Sequence, residues 1–346
     1  MRKLVTIFLL TLFAIGLPRL FIACRKGQDN AGLTPLAQSI PANLPAPNYQ
    51  FTDNPLSEEG FQLGRKLFYD GRLSVDNLHP CASCHEQVGG FGTFEHDRSH
   101  GVYNSHTLRN APPLFNLAWN KTYHWDAAFN SLYDEAAQPL HGRLEMGETW
   151  DGIISKLAED PAYREAFKTV FKSPFIKPEF ILKALAQFTG NIVSADARYD
   201  KMKRGELSFT AAEQNGYVLF QAKCASCHPE PMFTDYSLRN TGLPVDNLLK
   251  DYGRMLVTGK STDSLKFKVP TLRNVLFTSN YMHDGRFNTL PQCINHYRTG
   301  VQASPTLDPL LAGGISMTDN QANDLYQFLK TLSDSSLLKN PRYAKP

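Results

Sequence analysis

The pentapeptide Cys81-Ala82-Ser83-Cys84-His85 recurs unchanged as Cys224-Ala225-Ser226-Cys227-His228. The pattern C-x-x-C-H is the attachment signature of a c-type haem. Its spacing allows two thiols to reach the two vinyl groups on one edge of the porphyrin, and the adjacent histidine can turn its imidazole under the iron. The sequence therefore predicts two covalently bound c-type haems with His85 and His228 as proximal ligands. The attachment cysteines are Cys81, Cys84, Cys224 and Cys227.

Two other uses of paired cysteines explain the repeat less well. A zinc site would bring two C-x-x-C pairs together, but it does not require a histidine directly after each pair. A thioredoxin-like redox pair needs a neighbouring strand–helix unit, which the sequence around the motifs does not predict. Of the two other cysteines, Cys293 lies in an apolar stretch and is expected to be a buried thiol.

The composition excludes several classes of protein. The chain has 346 residues, 42% of them hydrophobic, which is enough for about two domains with buried cores. That hydrophobic fraction excludes a disordered protein. With 36 basic against 33 acidic residues and a formal net charge of +3, the chain has no polycationic surface, so we expect no nucleic-acid partner. Six cysteines are too few for a disulfide-dense scaffold of this length.

The N-terminus has the pattern of an export signal. Arg2 and Lys3 precede an apolar stretch at 4–17, which is short for a bilayer-spanning helix and is followed by Pro18. Phe21-Ile22-Ala23-Cys24 then resembles a lipoprotein signal-peptidase site, at which Cys24 would become the lipidated N-terminus. The sequence thus predicts a lipoprotein-type signal peptide at 1–24 and a periplasmic protein that meets the membrane only through a lipid anchor. An ordinary signal peptide or an uncleaved anchor would also export the chain.

Several segments outside the haem motifs also occur twice. Gly64–Phe68 before the first motif is echoed by Gly216–Phe220 before the second, and Thr-Leu-Arg-Asn follows each motif, at 107–110 and at 271–274. Further on, Phe-Asn-Ser-Leu at 129–132 matches Phe-Asn-Thr-Leu at 287–290. Such self-similarity indicates two copies of one structural unit.

The local patterns are those of helices. Ser57 before two glutamates, and Thr210 with Glu213, are N-terminal capping signals. Apolar residues at helical spacing predict a C-terminal helix after Thr318, and residues 180–193 predict a buried helix. No alternating run predicts a substantial sheet. We therefore expect an all-α fold of two tandem cytochrome c-like domains, at 54–200 and 201–346, after an extended proline-rich tether at 25–53.

These motifs, in this order, resemble the bacterial di-haem cytochrome c peroxidase family, which includes the methylamine-utilisation enzyme MauG. The resemblance extends over roughly residues 55–332. Besides the haem motifs it rests on LGRKLFYD at 63–70, LRNAP at 108–112, WD at 125–126, LEM at 144–146, GR at 253–254, TLRN at 271–274 and YMHDG at 281–285. It implies an N-terminal peroxidatic haem and a C-terminal haem that relays electrons.

Around the first haem, the resemblance implies two functional side chains. Glu145 matches the distal glutamate, which would move a proton from the inner to the outer oxygen of peroxide as the O–O bond breaks. The alternative is a solvated surface carboxylate. His100 matches the loop histidine that caps the peroxidatic iron in resting peroxidases and moves away on reduction. His96 and His106 are rivals for that position, because polar loop histidines are usually just exposed.

The family also has an indole between the haems, and Trp125 lies at that position. It is either a stepping stone for electrons or a core tryptophan, and the two interpretations are compatible. Family members often continue Trp-Asp-Gly-Arg, whereas Ala127 and Ala128 follow here. We therefore expect the charge contact of that arginine to be absent.

The resemblance implies two further metal contacts. Tyr297 falls at the position of the sixth ligand of the second haem iron, as in MauG, and a tyrosinate oxygen would lower the reduction potential. Met282 and Met317 are the alternative ligands. A calcium ion is expected between the haem domains, with the side-chain oxygen of Asn110 and the backbone carbonyls of Thr278 and Asn280 as ligands. Calcium prefers such oxygen-rich shells.

Three functional hypotheses follow. The leading one is an exported di-haem peroxidase that reduces hydrogen peroxide to water with electrons from a small cytochrome c or copper protein. Tyr297 favours a second, a MauG-like oxidase that acts on a protein or small substrate. The third is a non-catalytic di-haem electron carrier, against which Glu145 argues. Because the family often dimerises, a homodimer is also expected.

Overall fold

The computed structural model describes residues 32–346, so the predicted signal peptide and Cys24 lie outside the described residues. In that range the helices are α1 (Glu58–Phe68), α2 (Ala137–His141), α3 (Trp150–Glu159), α4 (Pro161–Phe171), α5 (Pro178–Thr189), α6 (Arg198–Lys203), α7 (Ala211–Lys223), α8 (Met255–Thr258), α9 (Leu290–Asn295), α10 (Asp319–Lys330) and α11 (Ser335–Leu338). The strands are β1 (His100–Gly101), β2 (Ser105–His106), β3 (Leu238–Arg239) and β4 (Phe267–Lys268). β1 pairs antiparallel with β2, and β3 pairs antiparallel with β4. The described chain is therefore helix-rich with little sheet, as predicted.

The predicted helix ends form the hydrogen bonds that their sequences indicate. At the start of α1, the backbone N–H of Gly60 donates to Ser57 Oγ at 3.0 Å. At the start of α7, Thr210 and Glu213 form a reciprocal capping box. The helix expected over 180–193 is α5, which ends four residues earlier because the chain turns at Gly190. No helix among residues 32–346 is long and apolar enough to cross a bilayer.

The glycines of the duplicated segments lie where two helix pairs cross. In the first half of the chain α1 packs on α5, and a Cβ atom at Gly64 would lie 1.9 Å from the carbonyl oxygen of Ala184. In the second half α7 packs on α10, and a Cβ atom at Gly216 would lie 2.0 Å from the carbonyl oxygen of Asp324. Only glycine allows backbones to approach so closely. The sequence repeat thus marks equivalent helix crossings.

Each helix pair carries its own hydrophobic cluster. The first is rich in aromatic rings, among them Phe61, Phe68, Phe91, Phe167 and Phe188. The second is smaller and contains Phe220, Phe233, Leu325, Phe328 and Leu329. The two haem motifs lie at the edges of these clusters, since Cys81 packs against the first and Cys224 against the second.

The proline-rich segment at 33–53 differs from the expected free tether. Trp119 donates from its indole to the carbonyl of Pro45 at 2.7 Å, and Leu44 is buried beside Trp119. The amide of Asn43 donates to Asp200 at 2.8 Å. Phe51 is part of the first hydrophobic cluster. The packed part of the chain therefore begins well before Asn54, because single apolar and amide side chains anchor a segment without helical periodicity.

The segment at 335–346 returns to the first half of the molecule. Leu337 and Tyr343 are buried in the first hydrophobic cluster. The Tyr343 hydroxyl donates to the carbonyl of Asn191 at 3.0 Å, and the Tyr69 hydroxyl donates to the carbonyl of Tyr343 at 2.7 Å. The expected C-terminal domain at 201–346 thus contains residues that pack in the core of the first half.

Candidate active site

The first haem motif lies on a short turn, Cys81–Ser83, and its histidine is held by a backbone carbonyl. His85 Nδ1 lies 3.0 Å from the carbonyl oxygen of Phe91, which leaves Nε2 for a metal. Burial lowers the pKa of His85, so the neutral imidazole that binds iron is favoured. Neither Cys81 nor Cys84 forms a disulfide, so both sulfur atoms are available for attachment to a porphyrin.

A cavity of about 560 Å³ opens beside this motif. That volume lies in the range of sites that hold a cofactor of several rings, roughly 300–1,000 Å³. The lining is mostly apolar, and it includes Leu114, Phe129, Leu132, Leu140, Met146 and Leu185. The thiols of Cys81 and Cys84 and the imidazole of His85 line the same cavity. Two thiols, one imidazole and an apolar slot of this size fit a covalently attached haem.

The second motif repeats this arrangement at the end of α7. His228 Nδ1 lies 3.0 Å from the carbonyl oxygen of Phe233, as His85 does from that of Phe91. Burial also lowers the pKa of His228. Neither Cys224 nor Cys227 forms a disulfide, so both sulfur atoms are available for attachment. The residues therefore fit a second haem of the same attachment chemistry.

Tyr297 lies next to the second motif. It stands on a single π-helical turn, His296–Gly300, that continues α9. Burial raises the pKa of the Tyr297 phenol, and its electrostatic neighbours are the thiols of Cys293, Cys224 and Cys227. The structure thus brings the predicted sixth ligand to the second attachment site. Met317 packs at the edge of the second hydrophobic cluster, and Met282 lies in a loop with φ of +73°.

Glu145 lines the first cavity rather than the solvent-facing surface. The amide of Gln138, which also lines the cavity, donates to Glu145 Oε2 at 2.9 Å. Burial raises the pKa of the Glu145 carboxyl, although the charge of His124 and the hydrogen bond from Gln138 oppose that shift. A Cβ atom at Gly142 would lie 2.4 Å from Glu145 Oε2, so Gly142 leaves room for the carboxylate. The site therefore holds a carboxyl group whose neutral form is favoured by burial.

His100 lies at the exposed rim of the same cavity. It pairs with His106 across the β1–β2 ladder, with their ring centroids 4.4 Å apart, and the ring of His96 lies 4.6 Å from that of His100. Slight burial and the two neighbouring imidazoles lower the pKa of His100. The three candidate histidines are therefore adjacent, and His100 is the one that lines the cavity.

Trp125 lies at the seam between the two halves. Its indole donates to the carbonyl of Asn110 at 2.8 Å, and its own carbonyl accepts from the backbone N–H of Lys268 at 2.6 Å. The backbone N–H of Asn110 donates to the carbonyl of His283 at 2.8 Å. Trp125 also lines the first cavity. Trp125 therefore lines the first cavity with its side chain and contacts the second half through its backbone carbonyl.

An ion-pair network that the sequence did not predict surrounds this seam. Arg109 donates to Asp126 at 2.6 Å and to both oxygens of Asp251, at 2.6 and 2.9 Å. Asp126 thus keeps an arginine partner although Ala128 stands where the family often has arginine. Arg254 donates to the backbone carbonyls of Asp126 and Ala127. In sequence, Arg109 and Asp251 lie 142 residues apart, so no local pattern signals their pairing.

The expected calcium ligands lie on both sides of the loop at 94–97. The amide of Asn110 donates to the carbonyl of Asp97 at 2.9 Å, and the amide of Asn280 donates to the carbonyl of His96 at 2.9 Å. The side chain of Thr278 lies near Gly90. Asn110 and Asn280 are thus held close to one loop, whose backbone carbonyls accept their hydrogen bonds. Among residues 32–346, no cluster of three or more His, Cys, Asp or Glu side chains has metal-binding geometry.

Comparisons with known proteins identify the relatives of this chain. The sequence model of the family described as "Di-haem cytochrome c peroxidase" matches residues 58–208. The methylamine utilization protein MauG of Methylorubrum extorquens is 33% identical over 84% of this chain and 82% of the relative. The chain belongs to the di-haem cytochrome c peroxidase family. A second member, the cytochrome c551 peroxidase of Nitrosomonas europaea, is 36% identical over 67% of this chain and 71% of its own length.

A solved structure shares the fold of the present chain over most of its length. The crystal structure of a MauG-like protein associated with microbial copper homeostasis superimposes with a TM-score of 0.83 and 33% identity, over 90% of this chain and 99% of that chain. The family assignment confirms the sequence resemblance, and the chain is an oxidoreductase of the cytochrome c peroxidase type. Membership of a di-haem family also implies two c-type haems, which agrees with the two attachment sites.

The cavity contains two charged residues that sequence reasoning missed. His124 and Glu135 both line it, with His124 Nε2 3.6 Å from Glu135 Oε2. A signal was present in the duplication, because YHWDAAF at 123–129 aligns with YMHDGRF at 281–287. Both loops close with a backbone hydrogen bond from tyrosine to phenylalanine, at 2.8 and 2.7 Å. The alignment sets His124 opposite Met282 and Trp125 opposite His283.

Proposed function

We propose that this chain is an exported di-haem peroxidase. It reduces hydrogen peroxide to water at the haem of His85, with electrons that enter at the haem of His228 from a small cytochrome c or copper protein. The observation that carries the proposal is the first cavity, in which the half-buried carboxyl group of Glu145 shares one mostly apolar chamber with the attachment cysteines and His85. A relative named cytochrome c551 peroxidase supports the same chemistry.

The bound haem would supply an iron that binds peroxide and exchanges electrons with it. Glu145 moves a proton from one peroxide oxygen to the other, so that the departing oxygen leaves as water. Burial suits Glu145 for this task because it raises the pKa of the carboxyl above its ordinary value, which favours the protonated form. Gln138 orients the carboxylate through its 2.9 Å hydrogen bond. The apolar lining excludes bulk water, so the proton stays with the reacting oxygens.

Trp125 is the proposed route for electrons between the halves. Its hydrogen bond to Asn110 and its backbone contact with Lys268 fix the indole at the seam. Trp125→Phe keeps an aromatic ring but removes the N–H donor and the larger π system. We expect slower electron transfer from the second haem to the first, followed by stopped-flow absorbance. An unchanged transfer rate would refute this role while leaving the peroxidase proposal intact.

The experiment that tests the function is peroxide reduction by the haem-loaded, calcium-replete and pre-reduced protein with a reduced cytochrome donor. Glu145→Gln should lower the rate by roughly 10²–10⁴-fold, the usual contribution of a proton-transferring side chain. Glu159→Gln, at the exposed end of α3, is the matched control and should leave the rate unchanged. No activity in the wild-type protein would overturn the proposal and favour the electron carrier.

The position of Tyr297 favours one second function, a MauG-like oxidase that acts on a protein or small substrate. A tyrosinate beside the second attachment site would lower the potential of that haem, which suits the storage of oxidising equivalents. The test is to add one equivalent of peroxide to the oxidised protein. A long-lived absorbance change from both haems would support the oxidase. Rapid bleaching, or a methionine–iron charge-transfer band, would contradict it.

We also propose the setting in which the enzyme works. The signal pattern ending at Cys24 supports a periplasmic location with a lipid anchor, and the duplicated segments support two tandem cytochrome c domains, at 54–200 and 201–346. Asn110, Thr278 and Asn280 are the proposed calcium ligands at the seam, and the family resemblance supports a homodimer. Metabolic labelling with a fatty acid tests the anchor, with Cys24→Ser as control. Chelation and calcium titration test the metal.

A further inference from the structure

The first cavity contains more proton-binding side chains than the proposed function uses. Besides Glu145, it is lined by His124 and Glu135, whose side chains are only 19% and 13% exposed. His124 Nε2 lies 3.1 Å from the backbone carbonyl oxygen of Glu135 and 3.6 Å from its carboxylate. The imidazole is packed against the ring of Phe129 at a centroid distance of 4.7 Å. His124 is therefore held in one orientation by polar and aromatic contacts.

The loop that carries His124 fixes its position independently of the side chain. His124 has a left-handed backbone with φ of +65°, and Met282, its counterpart in the second half, has φ of +73°. The two loops share their closing hydrogen bonds, so the unusual backbone belongs to the loop itself. What differs is the side chain: an imidazole in the cavity with Glu145, and a thioether in the other half.

Peroxide reduction requires protons inside this chamber. The O–O bond breaks, two electrons and two protons are consumed, and two water molecules form. The donor of the proposed function supplies the electrons, but the protons have to cross an apolar lining. One carboxyl group can shift a proton between the two oxygens, and a second group is needed to supply protons from outside the reacting pair.

We propose that His124, positioned by Glu135, is a second proton-transfer group of the first cavity and acts beside Glu145. This inference rests on the proposed peroxidase function. The imidazole uses Nε2 towards Glu135, and Nδ1 has no hydrogen-bond partner among residues 32–346, which leaves it to exchange protons with bound peroxide or water. Glu135 is a positioning residue, because its carboxylate orients the ring and stabilises the imidazolium, as in other carboxylate–histidine pairs.

The charges around His124 favour its protonated form. Burial alone would lower the pKa of His124, but the hydrogen bond and charge of Glu135 raise it above its ordinary value. The titratable groups that face it from the surrounding segments are Glu135, Asp126, Glu145 and His85. Lys268 in turn faces Glu135 and Asp126. The negative charges of Glu135 and Asp126 thus favour the protonated imidazole, which is the form that can donate a proton.

The test compares haem-loaded wild type with His124→Phe, which keeps a planar ring against Phe129, and with Glu135→Gln, which keeps the size of the side chain but removes its charge. His141→Gln, at the exposed end of α2, is the matched control. Haem content and visible spectra establish that each variant is folded and loaded. The first readout is the rate of the reaction with peroxide from pH 5 to pH 9. The second, independent of turnover, is the number of protons released when cyanide binds as an anion, measured with an indicator dye.

We expect His124→Phe to slow the peroxide reaction at least tenfold and to remove one step from the pH profile. Above the pKa of His124, where the wild-type imidazole is neutral and can take up the proton of hydrogen cyanide, the variant should release more protons on cyanide binding. Glu135→Gln should move that step to lower pH, because a neutral amide no longer stabilises the imidazolium. A wild-type pH profile and proton count in His124→Phe would overturn the inference. If the wild type does not reduce peroxide but His124→Phe still changes the cyanide proton count, the proposed function fails and the role of His124 as a proton-binding group stands.

Discussion

Replacing Gly64 by alanine should destabilise the packing of α1 against α5. A Cβ atom at this position would lie 1.9 Å from the carbonyl oxygen of Ala184, whereas ordinary van der Waals contact begins at 3.4 Å. The helices α1 and α5 would therefore have to separate by about 1.5 Å at their closest point. The atom in the way is a backbone carbonyl inside a helix, so it cannot rotate aside as a side chain would.

Two opposing free energies decide the size of the effect. Alanine in a helix interior is favoured over glycine by about 1 kcal/mol. Overpacking costs roughly 1–3 kcal/mol, and separating two helices that carry the aromatic core adds the loss of dispersion contacts on both sides. We expect Gly64→Ala to lower the free energy of unfolding by about 2–4 kcal/mol. Gly216→Ala should behave alike, because its Cβ would lie 2.0 Å from the carbonyl oxygen of Asp324.

The assay is guanidinium unfolding of the haem-loaded protein, followed by far-ultraviolet circular dichroism. Gly152→Ala in α3 is the matched control, since its Cβ would meet the carboxylate end of the Glu148 side chain rather than a backbone carbonyl. That variant should lose less stability than Gly64→Ala, because a side chain can shift further than a helix backbone. The reasoning would be refuted if Gly64→Ala and Gly152→Ala had the same midpoint.

Three further predictions follow from the site. Gly142→Ala should displace the Glu145 carboxylate, because the new Cβ would lie 2.4 Å from Glu145 Oε2. The rate of peroxide turnover should then be lower than in the wild type but higher than in Glu145→Gln. A variant that turned over at the wild-type rate would contradict this prediction. Asp251→Asn should lower the unfolding midpoint, because it removes the charge that pairs with Arg109, and breaking a buried ion pair costs roughly 3–5 kcal/mol. Asp246→Asn, on the exposed part of the same segment, should leave the midpoint unchanged. Burial lowers the pKa of Lys268 to about 8 from 10.5, so between these pH values the unfolded chain binds this proton more tightly than the folded chain does. The free energy of unfolding should therefore rise with pH across that window, by at most about 3 kcal/mol. Unfolding measurements at pH 8 and 10 should show this rise in the wild type and not in Lys268→Met.

The sequence predicted those features that depend on local chemistry. Capping pairs such as Thr210 with Glu213 form as expected, because a cap needs only residues three positions apart. The haem motifs predicted both attachment sites, since cysteines and histidine are adjacent along the chain. The duplication predicted equivalent segments in the two halves, but the reason for keeping Gly64 and Gly216 became apparent only when their partner helices were known.

The features that the sequence did not predict depend on contacts between distant segments. Arg109 meets Asp251 across 142 residues, and no spacing rule connects them. His124 and Glu135 are 11 positions apart in irregular chain, so only the folded loop reveals that they share a cavity. The segment at 335–346 has too few apolar residues to predict where it packs, yet Leu337 and Tyr343 complete the first core. Burial of such single anchors is decided by shape rather than by periodicity.

The packing of the segment at 335–346 against the first half constrains the order in which the two cores can fold during synthesis. A ribosome finishes residues 54–200 long before it reaches Tyr343, so the first core lacks two of its buried side chains until the second half has been synthesised. The backbone carbonyl of Ala344 also accepts a hydrogen bond from Arg65 in α1, and Arg342 pairs with Glu58 at the start of that helix. Consequently the core of the first half is completed last, and a fragment ending at residue 200 would expose the aromatic surface that this segment covers. The first half of the molecule therefore cannot complete its core before the end of the second half has been synthesised.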